Sequence, residues 1–348
     1  MITKLLFIVF GPPTLYFINK SLLQFNFLIE NVSKKKHKKI FSIKNRKIQS
    51  GGLFLLASIL LFFFKENNSL ILSLILIFIL GVLSDIDYIN SPIIRFIFQF
   101  LVIFFLVTHG TVLVENTRIE ILDNLLQNSI FKLFFTVFCF LILINGCNFI
   151  DGANTILVGY FLIVSVCILS VTNHLQINFN SHYLIFLIIS LSILLIFNFF
   201  SKIIMGDSGA YLIGLLFGYI TVVLSNENLN ISPIYVLNLL WYPAFENLFS
   251  ILRKVKKKVS TSTADNFHLH HLIYNMINKI FKNYKFNNSL TGIIINSFNL
   301  FSLVLSSVVY NHSFYLSLIL VFNTTVYISV YYFLTRNQKL TSFYKKFN

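Results

Sequence analysis

Three short polar stretches interrupt long apolar runs, and they hold the residues best suited to chemistry. They read Ser84-Asp85-Ile86-Asp87, Asn145-Gly146-Cys147-Asn148-Phe149-Ile150-Asp151-Gly152-Ala153-Asn154 and Met205-Gly206-Asp207-Ser208-Gly209. The chain has 12 acidic residues, and Asp85, Asp87, Asp151 and Asp207 place four of them here. Carboxylates at the edge of a membrane are costly and need a partner, usually an ion or a substrate. Hard oxygen ligands of this kind suit Mg²⁺, which takes one or two carboxylates together with waters and substrate phosphates.

Each stretch also has a plainer reading. Two glycines around Asp207 let the backbone approach a ligand closely, but Asp is equally a favoured helix N-cap. Asn145, Asn148 and Asp151 are spaced i, i+3, i+6 and share one face of a helical turn. They suit a metal or a nucleotide, or simply end a helix before an Asp-Gly turn. Ser84, Asp85 and Asp87 precede Pro92 and Arg95, and Arg95 could pair with Asp85 or with a phosphate; a solvated loop would look the same. A fourth feature is Thr263-Ala264-Asp265-Asn266-Phe267-His268-Leu269-His270-His271. Structural zinc would want cysteines or a wider histidine spacing. Imidazoles downstream of Arg253, Lys254, Lys256, Lys257 and Lys258 suit a pyrophosphate-binding patch, or else form part of a solvated basic loop.

The elements that carry these residues are membrane helices. The chain of 348 residues is 56% apolar and 11% charged, against about 25% charge in a soluble domain. Apolar runs recur at the length that crosses a bilayer and lack the alternation of a barrel. The fold class is therefore all-α, a polytopic membrane bundle of about eleven transmembrane helices forming a single domain over 1–348. The predicted spans are 5–28, 51–64, 69–83, 93–108, 129–145, 155–171, 182–200, 209–225, 232–252, 289–309 and 313–334. The first contains Gly11-Pro12-Pro13 and lacks a small-residue cleavage site, so it reads as a span rather than a cleaved signal. A small hairpin is expected within 109–128. Cys139, Cys147 and Cys167 fall in or beside spans, so no disulfide framework is expected.

Lysine and arginine orient the bundle. Segment 29–50 carries Lys34, Lys35, Lys36, Lys38, Lys39, Lys44, Arg46 and Lys47; 253–288 and the tail 335–348 are also basic. If these are cytoplasmic, the opposite side receives only Lys4, Lys65, Arg118 and Lys132, a strong positive-inside pattern. Counting spans then puts 84–92, 146–154, 201–208 and 253–288 all on the cytoplasmic face. The net charge of +15 reads as topological charge and attraction to anionic lipid, with no nucleic acid as partner.

Taken together, the four features resemble the polyprenyl-phosphate N-acetylhexosamine-1-phosphate transferase family, glycosyltransferase family 4. Members carry an Asp-Asp pair followed by Pro, Arg or Lys, and Gln; here Ser84-Asp85, Pro92, Arg95 and Gln99 match, with Ser84 in place of the first Asp. Their Asn-x-x-Asn-x-x-Asp-Gly is matched by Asn145, Asn148, Asp151 and Gly152, with Asn154 where a further Asp is usual. Met-Gly-Asp-x-Gly is matched by Met205 to Gly209. Pro-Asp-x-x-His-x-His-His is matched by Asp265, His268, His270 and His271, with Ala264 for Pro. The stretch Pro243…Glu246…Arg253 is also similar. An N-terminal His…Pro-x-x-Gly-Gly signature is degraded: Gly51-Gly52 remain, and His37 sits too far upstream.

The resemblance implies transfer of a sugar-1-phosphate, an N-acetylhexosamine, from a UDP-sugar to undecaprenyl phosphate, giving a polyprenyl-diphospho-sugar and UMP. Such a reaction initiates a cell-envelope glycan, an O-antigen-like polysaccharide of lipopolysaccharide biosynthesis, at the cytoplasmic face of the bacterial plasma membrane. The implied cofactor is Mg²⁺ or Mn²⁺ on Asp207 and Asp151. Asp85, Asp151, Asp207 and His268 are the implied catalytic residues. Ser84, Arg95, Asn145, Asn148, Asn154, Asp265, His270 and His271 are implied in substrate binding, and a homodimer is a candidate assembly. Asp85 would orient or deprotonate the lipid phosphate; with a second phosphate pKa of about 6, a base is not essential. A transporter or lipid-linked-sugar flippase would also explain intramembrane polar groups, but it predicts charges near the midplane. A catalytically dead scaffold would rest on the Ser84 and Asn154 changes.

Overall fold

The computed structural model describes residues 2–29, 48–63, 67–177, 181–260, 266–282 and 284–347. His37, the basic residues of 34–47 and Asp265 lie outside them. The described residues form thirteen helices, with β-bridges only at Ile29–Ile48 and Ile48–Ile203. Nine helices are long and apolar enough to cross a membrane: α1 (Ile2–Gln24), α3 (Asn68–Asp85), α4 (Pro92–His109), α6 (Ser129–Ile150), α7 (Ile156–His174), α8 (Ser181–Phe199), α9 (Gly206–Glu227), α12 (Asn287–Val308) and α13 (Ser313–Phe347). The other two predicted spans are also helices. These are α2 (Gly51–Phe63), which is shorter, and α10 (Pro233–Lys256), whose basic last turn holds Arg253, Lys254 and Lys256.

The hairpin expected within 109–128 is not formed. That segment runs extended, with left-handed backbone at Thr111 and Arg118, into the short helix α5 (Glu120–Leu126). The Asp123 carboxylate accepts from the backbone N–H and hydroxyl of Thr117, both at 2.7 Å, and so folds the segment onto the helix rather than onto a second strand. A further helix, α11 (Leu269–Ile280), lies within the predicted basic loop and begins next to the histidines. The Asn67 side chain accepts from Ser69 N–H at 2.9 Å and caps α3, which separates it from α2.

Helix α9 is the centre of the bundle, and every residue from Gly206 to Gly218 is buried. It packs against α3, α6 and α2. On α4 the outward side chains Ile93, Ile94, Phe96, Ile97, Phe98 and Leu101 are apolar and exposed, while Gln99 is buried. This is the pattern of a lipid-facing helix, whose polar groups must turn inward. Pro243 lies within α10 and lacks the N–H that would bond Leu239; the Tyr160 hydroxyl donates to that carbonyl instead, at 2.9 Å.

Candidate active site

The sequence runs apolar up to Asp85 and again from Ala210, so α3 ends and α9 begins on polar residues. The packing of α3 on α9 brings those two ends together. Asp85 Oδ1 accepts from the Asp207 N–H at 2.9 Å and from Gln49 Nε2 at 2.9 Å, and Oδ2 accepts from the Ser208 N–H at 3.0 Å. The first N–H groups of a helix have no partner within it, and the residue preceding α9, Met205, has no capping side chain. Asp85 therefore caps α9 from another helix, where the helix dipole favours negative charge. Asp151, at the end of α6, accepts from the Gly206 N–H at 3.0 Å. Gly206 has φ +70°, and a Cβ there would lie 2.7 Å from Asp85 Oδ2. Glycine thus meets both the backbone and the space requirement.

The Asp207 carboxylate points back at α3 and α4. Its Oδ2 accepts from the Ser84 hydroxyl at 2.5 Å and from Arg95 Nη1 at 2.9 Å, and the same Nη1 donates to Ser84 Oγ at 2.9 Å. The Arg95 side chain is 24% exposed and that of Asp207 9%, so the pair stands at the edge of the buried region. Asn145 Nδ2 donates to Gln99 Oε1 and to the Leu141 carbonyl, both at 2.9 Å. It ties α6 to α4 one turn from Arg95. Asp87 sits beyond the end of α3 with left-handed backbone, and Asn148 is half-buried near the end of α6.

Asn154 lies in a separate polar knot. Its Nδ2 donates to Ser201 Oγ at 2.7 Å and its Oδ1 accepts from Asn288 Nδ2 at 3.2 Å. Its neighbour Thr155 donates its hydroxyl to the Ser289 carbonyl at 3.0 Å. These bonds join the turn after Asp151 to α12 and to the segment before α9, so the amide of Asn154 holds the scaffold of the site.

The histidines form the next layer. His270 is buried against Gly152, where a Cβ would lie 2.1 Å from the imidazole Nε2. The rings of His270 and His271 are 4.2 Å apart, and His268 stacks on His270 at 5.6 Å. Burial first, and the neighbouring His271 and His268 next, hold His270 well below its ordinary pKa of 6.5. His268 Nδ1 lies 2.9 Å from Glu246 Oε1, and Phe267 packs beneath Lys257 and Arg253 at 4.6 and 5.8 Å. Asp265 falls outside the described residues.

Sequence reasoning marked Glu246 only as part of a similar stretch, and it missed Gln49 altogether. Glu246 had a signal, being the one acidic residue of an otherwise membrane-length helix. Gln49 had none, since its partner is 36 residues away. Among the described residues no group of three His, Cys, Asp or Glu side chains forms a ready-made metal cage. The donors gathered around Gly206 are nevertheless hard carboxylate oxygens, the ligand type that Mg²⁺ takes.

Fold and site define a polytopic helical membrane protein with a buried acidic cluster at one end of its central helix. Residues 68–225 match the family model described as Glycosyl transferase family 4. The match runs from α3 to α9 and contains Ser84, Asp85, Arg95, Asn145, Asp151 and Asp207. The resemblance drawn from the motifs is borne out over that span, and with it the reading of a membrane-embedded transferase. A search of curated proteins gives no match.

Proposed function

We propose that the protein transfers a sugar-1-phosphate, with an N-acetylhexosamine as the sugar, from a UDP-sugar to undecaprenyl phosphate. One observation carries this reading: Asp85, Asp151 and Asp207, from three different helices, converge on the first turn of α9 beside Arg95. In this reaction an oxygen of the lipid phosphate forms a bond to the sugar-bearing phosphorus of the UDP-sugar. The bond from that phosphorus to the bridging oxygen breaks, and UMP leaves with that oxygen. Phosphoryl transfer asks a protein mainly for positioning and for neutralisation of charge.

The residues divide that work. Asp207 and Asp151, on either side of the Gly206 peptide, would hold Mg²⁺ or Mn²⁺. When bound, the metal supplies charge neutralisation to the diphosphate. Arg95, at the exposed edge, binds phosphate oxygens bidentately, as guanidinium does well. Asp85 keeps the first turn of α9, and hence Asp207, in place; with both its oxygens on donors, its role is to orient. His268, with His270 and His271, contacts the sugar-side phosphate. Ser84 in the place of a carboxylate is compatible with direct attack, because a lipid phosphate is already largely dianionic near pH 7.

The distribution of lysine and arginine supports a site on the cytoplasmic face; in this reading the membrane is a bacterial plasma membrane and the product starts a cell-envelope glycan. A transporter or flippase reading is disfavoured because Asp85, Asp151, Asp207 and Arg95 sit at helix ends rather than midway along spans. The test is UMP release by the protein in membranes, with undecaprenyl phosphate and a panel of UDP-sugars. The reading expects turnover with at least one UDP-N-acetylhexosamine, lost on omitting the lipid phosphate. No UMP with any of the panel would reject it.

A further inference from the structure

Glu246 lies within α10 and is 1% exposed. A carboxylate buried this deeply must be paired or hydrogen-bonded. Its two oxygens serve two other elements. Oε1 faces His268 Nδ1 at 2.9 Å and accepts from the Leu269 N–H at 3.4 Å; Oε2 accepts from the Tyr327 hydroxyl at 2.6 Å. Tyr327 belongs to α13 and is 3% exposed. Its ring is clamped edge-on by Phe245 and Phe249 of α10, with centroids 5.0 and 5.3 Å away. The opposite side of the arrangement is equally fixed, with the His268 ring 5.2 Å from Phe149 and stacked on His270.

We infer that Glu246 and Tyr327 are positioning residues that hold a proton on His268 Nδ1 and aim Nε2 at the substrate, so that Nε2, once protonated, donates to a phosphate oxygen. A carboxylate bonded to one ring nitrogen sets the tautomer and the ring orientation, and makes the other nitrogen more basic. The Tyr327 hydroxyl holds the carboxylate from behind. It occupies Oε2 and leaves Oε1 for the imidazole and for the start of α11. The last span of the bundle is thereby joined through two hydrogen bonds to the histidine layer. Both residues lie outside the 68–225 family match, and neither belongs to the acidic cluster around Asp207. The assignment of Nε2 to substrate phosphate rests on the proposed transferase reading; the fixed tautomer does not.

The test uses the full chain in detergent with ¹⁵N-labelled histidine. The His268 signals are assigned by their loss in His268→Asn. The wild-type protein is expected to show His268 protonated at Nδ1. Glu246→Gln, which is isosteric, should move the His268 signals to a mixture of tautomers, and Tyr327→Phe should shift them by a smaller amount. Both variants should keep a cooperative thermal transition. A wild-type His268 protonated only at Nε2, or Glu246→Gln signals identical to wild type, would overturn the inference. In the UMP-release assay, Tyr327→Phe should raise KM for the UDP-sugar about tenfold, the low end of the effect of partners that orient a histidine, with a smaller change in kcat. An unchanged KM in an otherwise active preparation would also overturn it. If the wild-type protein releases no UMP at all, the transferase reading fails, and the tautomer measurement still decides the role of Glu246.

Discussion

Asp85 Oδ1 accepts the backbone N–H of Asp207 at 2.9 Å, so a carboxylate on α3 sets the first turn of α9 across 122 residues of sequence. Asp207 itself accepts from Ser84, the residue just before Asp85. The two neighbours thus act on Asp207 in different ways, one through its backbone and one through its carboxylate.

Asp85→Asn should therefore cost far more than Ser84→Ala. The amide keeps the shape but loses the charge that two backbone N–H groups bind. Hydrogen bonds to charged groups are worth about 1.5–3 kcal/mol, so UMP release should fall about 100-fold or more. Ser84→Ala removes one donor from a carboxylate that keeps Arg95, and should cost less than about tenfold. An Asp85→Asn protein with near wild-type kcat between pH 6 and 9 would sink the capping argument.

Turnover should require Mg²⁺ or Mn²⁺ and should vanish in Asp207→Asn without loss of membrane insertion. Asp207 lies in the first turn of α9 and is paired with the partly exposed Arg95. Excess EDTA with full turnover would refute this.

Gly152→Ala should displace the histidine layer. The new methyl would lie 2.1 Å from His270 Nε2, and that ring is itself buried among the others. Overpacking of this kind costs about 1–3 kcal/mol. The expected outcome is a lower Tm together with a raised KM for the UDP-sugar. A variant with unchanged Tm and KM would show that the histidines do not depend on this contact.

The pH dependence of stability should carry the mark of His270. Its folded pKa lies well below the ordinary 6.5, so the native state resists binding the proton that the unfolded chain takes up. Stability is fully present above about pH 6.5 and is lost as pH falls towards the folded value. The slope from this one group is at most about 1.4 kcal/mol per pH unit. Thermal melts from pH 8 to 5 should show a smaller acid loss in His270→Gln than in the wild type, and equal losses would contradict the assignment.

Single cysteines at Asp87, Lys202 and Lys258, introduced with Cys139, Cys147 and Cys167 replaced by serine, should all react with an impermeant maleimide from the cytoplasmic side only. A cysteine at Asn116 should react from the other side. The motive is the distribution of lysine and arginine. Labelling of Asp87→Cys from outside would invert the bundle.

Hydrophobic run length by itself determined the helical bundle. All eleven predicted spans are helices, because in lipid each backbone group must be satisfied within its own segment, and that requirement is local. The motifs likewise marked Asp85, Asp151 and Asp207, since carboxylates at the ends of apolar runs stand out wherever they fall. The short helix α5 in place of a hairpin was not legible, because it turns on the side chain of Asp123 reaching Thr117. Nor could local sequence show that Asp85 caps α9, that Asn145 is spent on Gln99, that Asn154 belongs to a scaffold knot, or that Tyr327 stands behind Glu246. Each of these rests on a hydrogen bond between helices that lie far apart in the chain. The spacing of residues along one helix carries no record of which neighbour will face it, and only the packing of α3, α4, α6, α10, α12 and α13 around α9 and its flanks decided that.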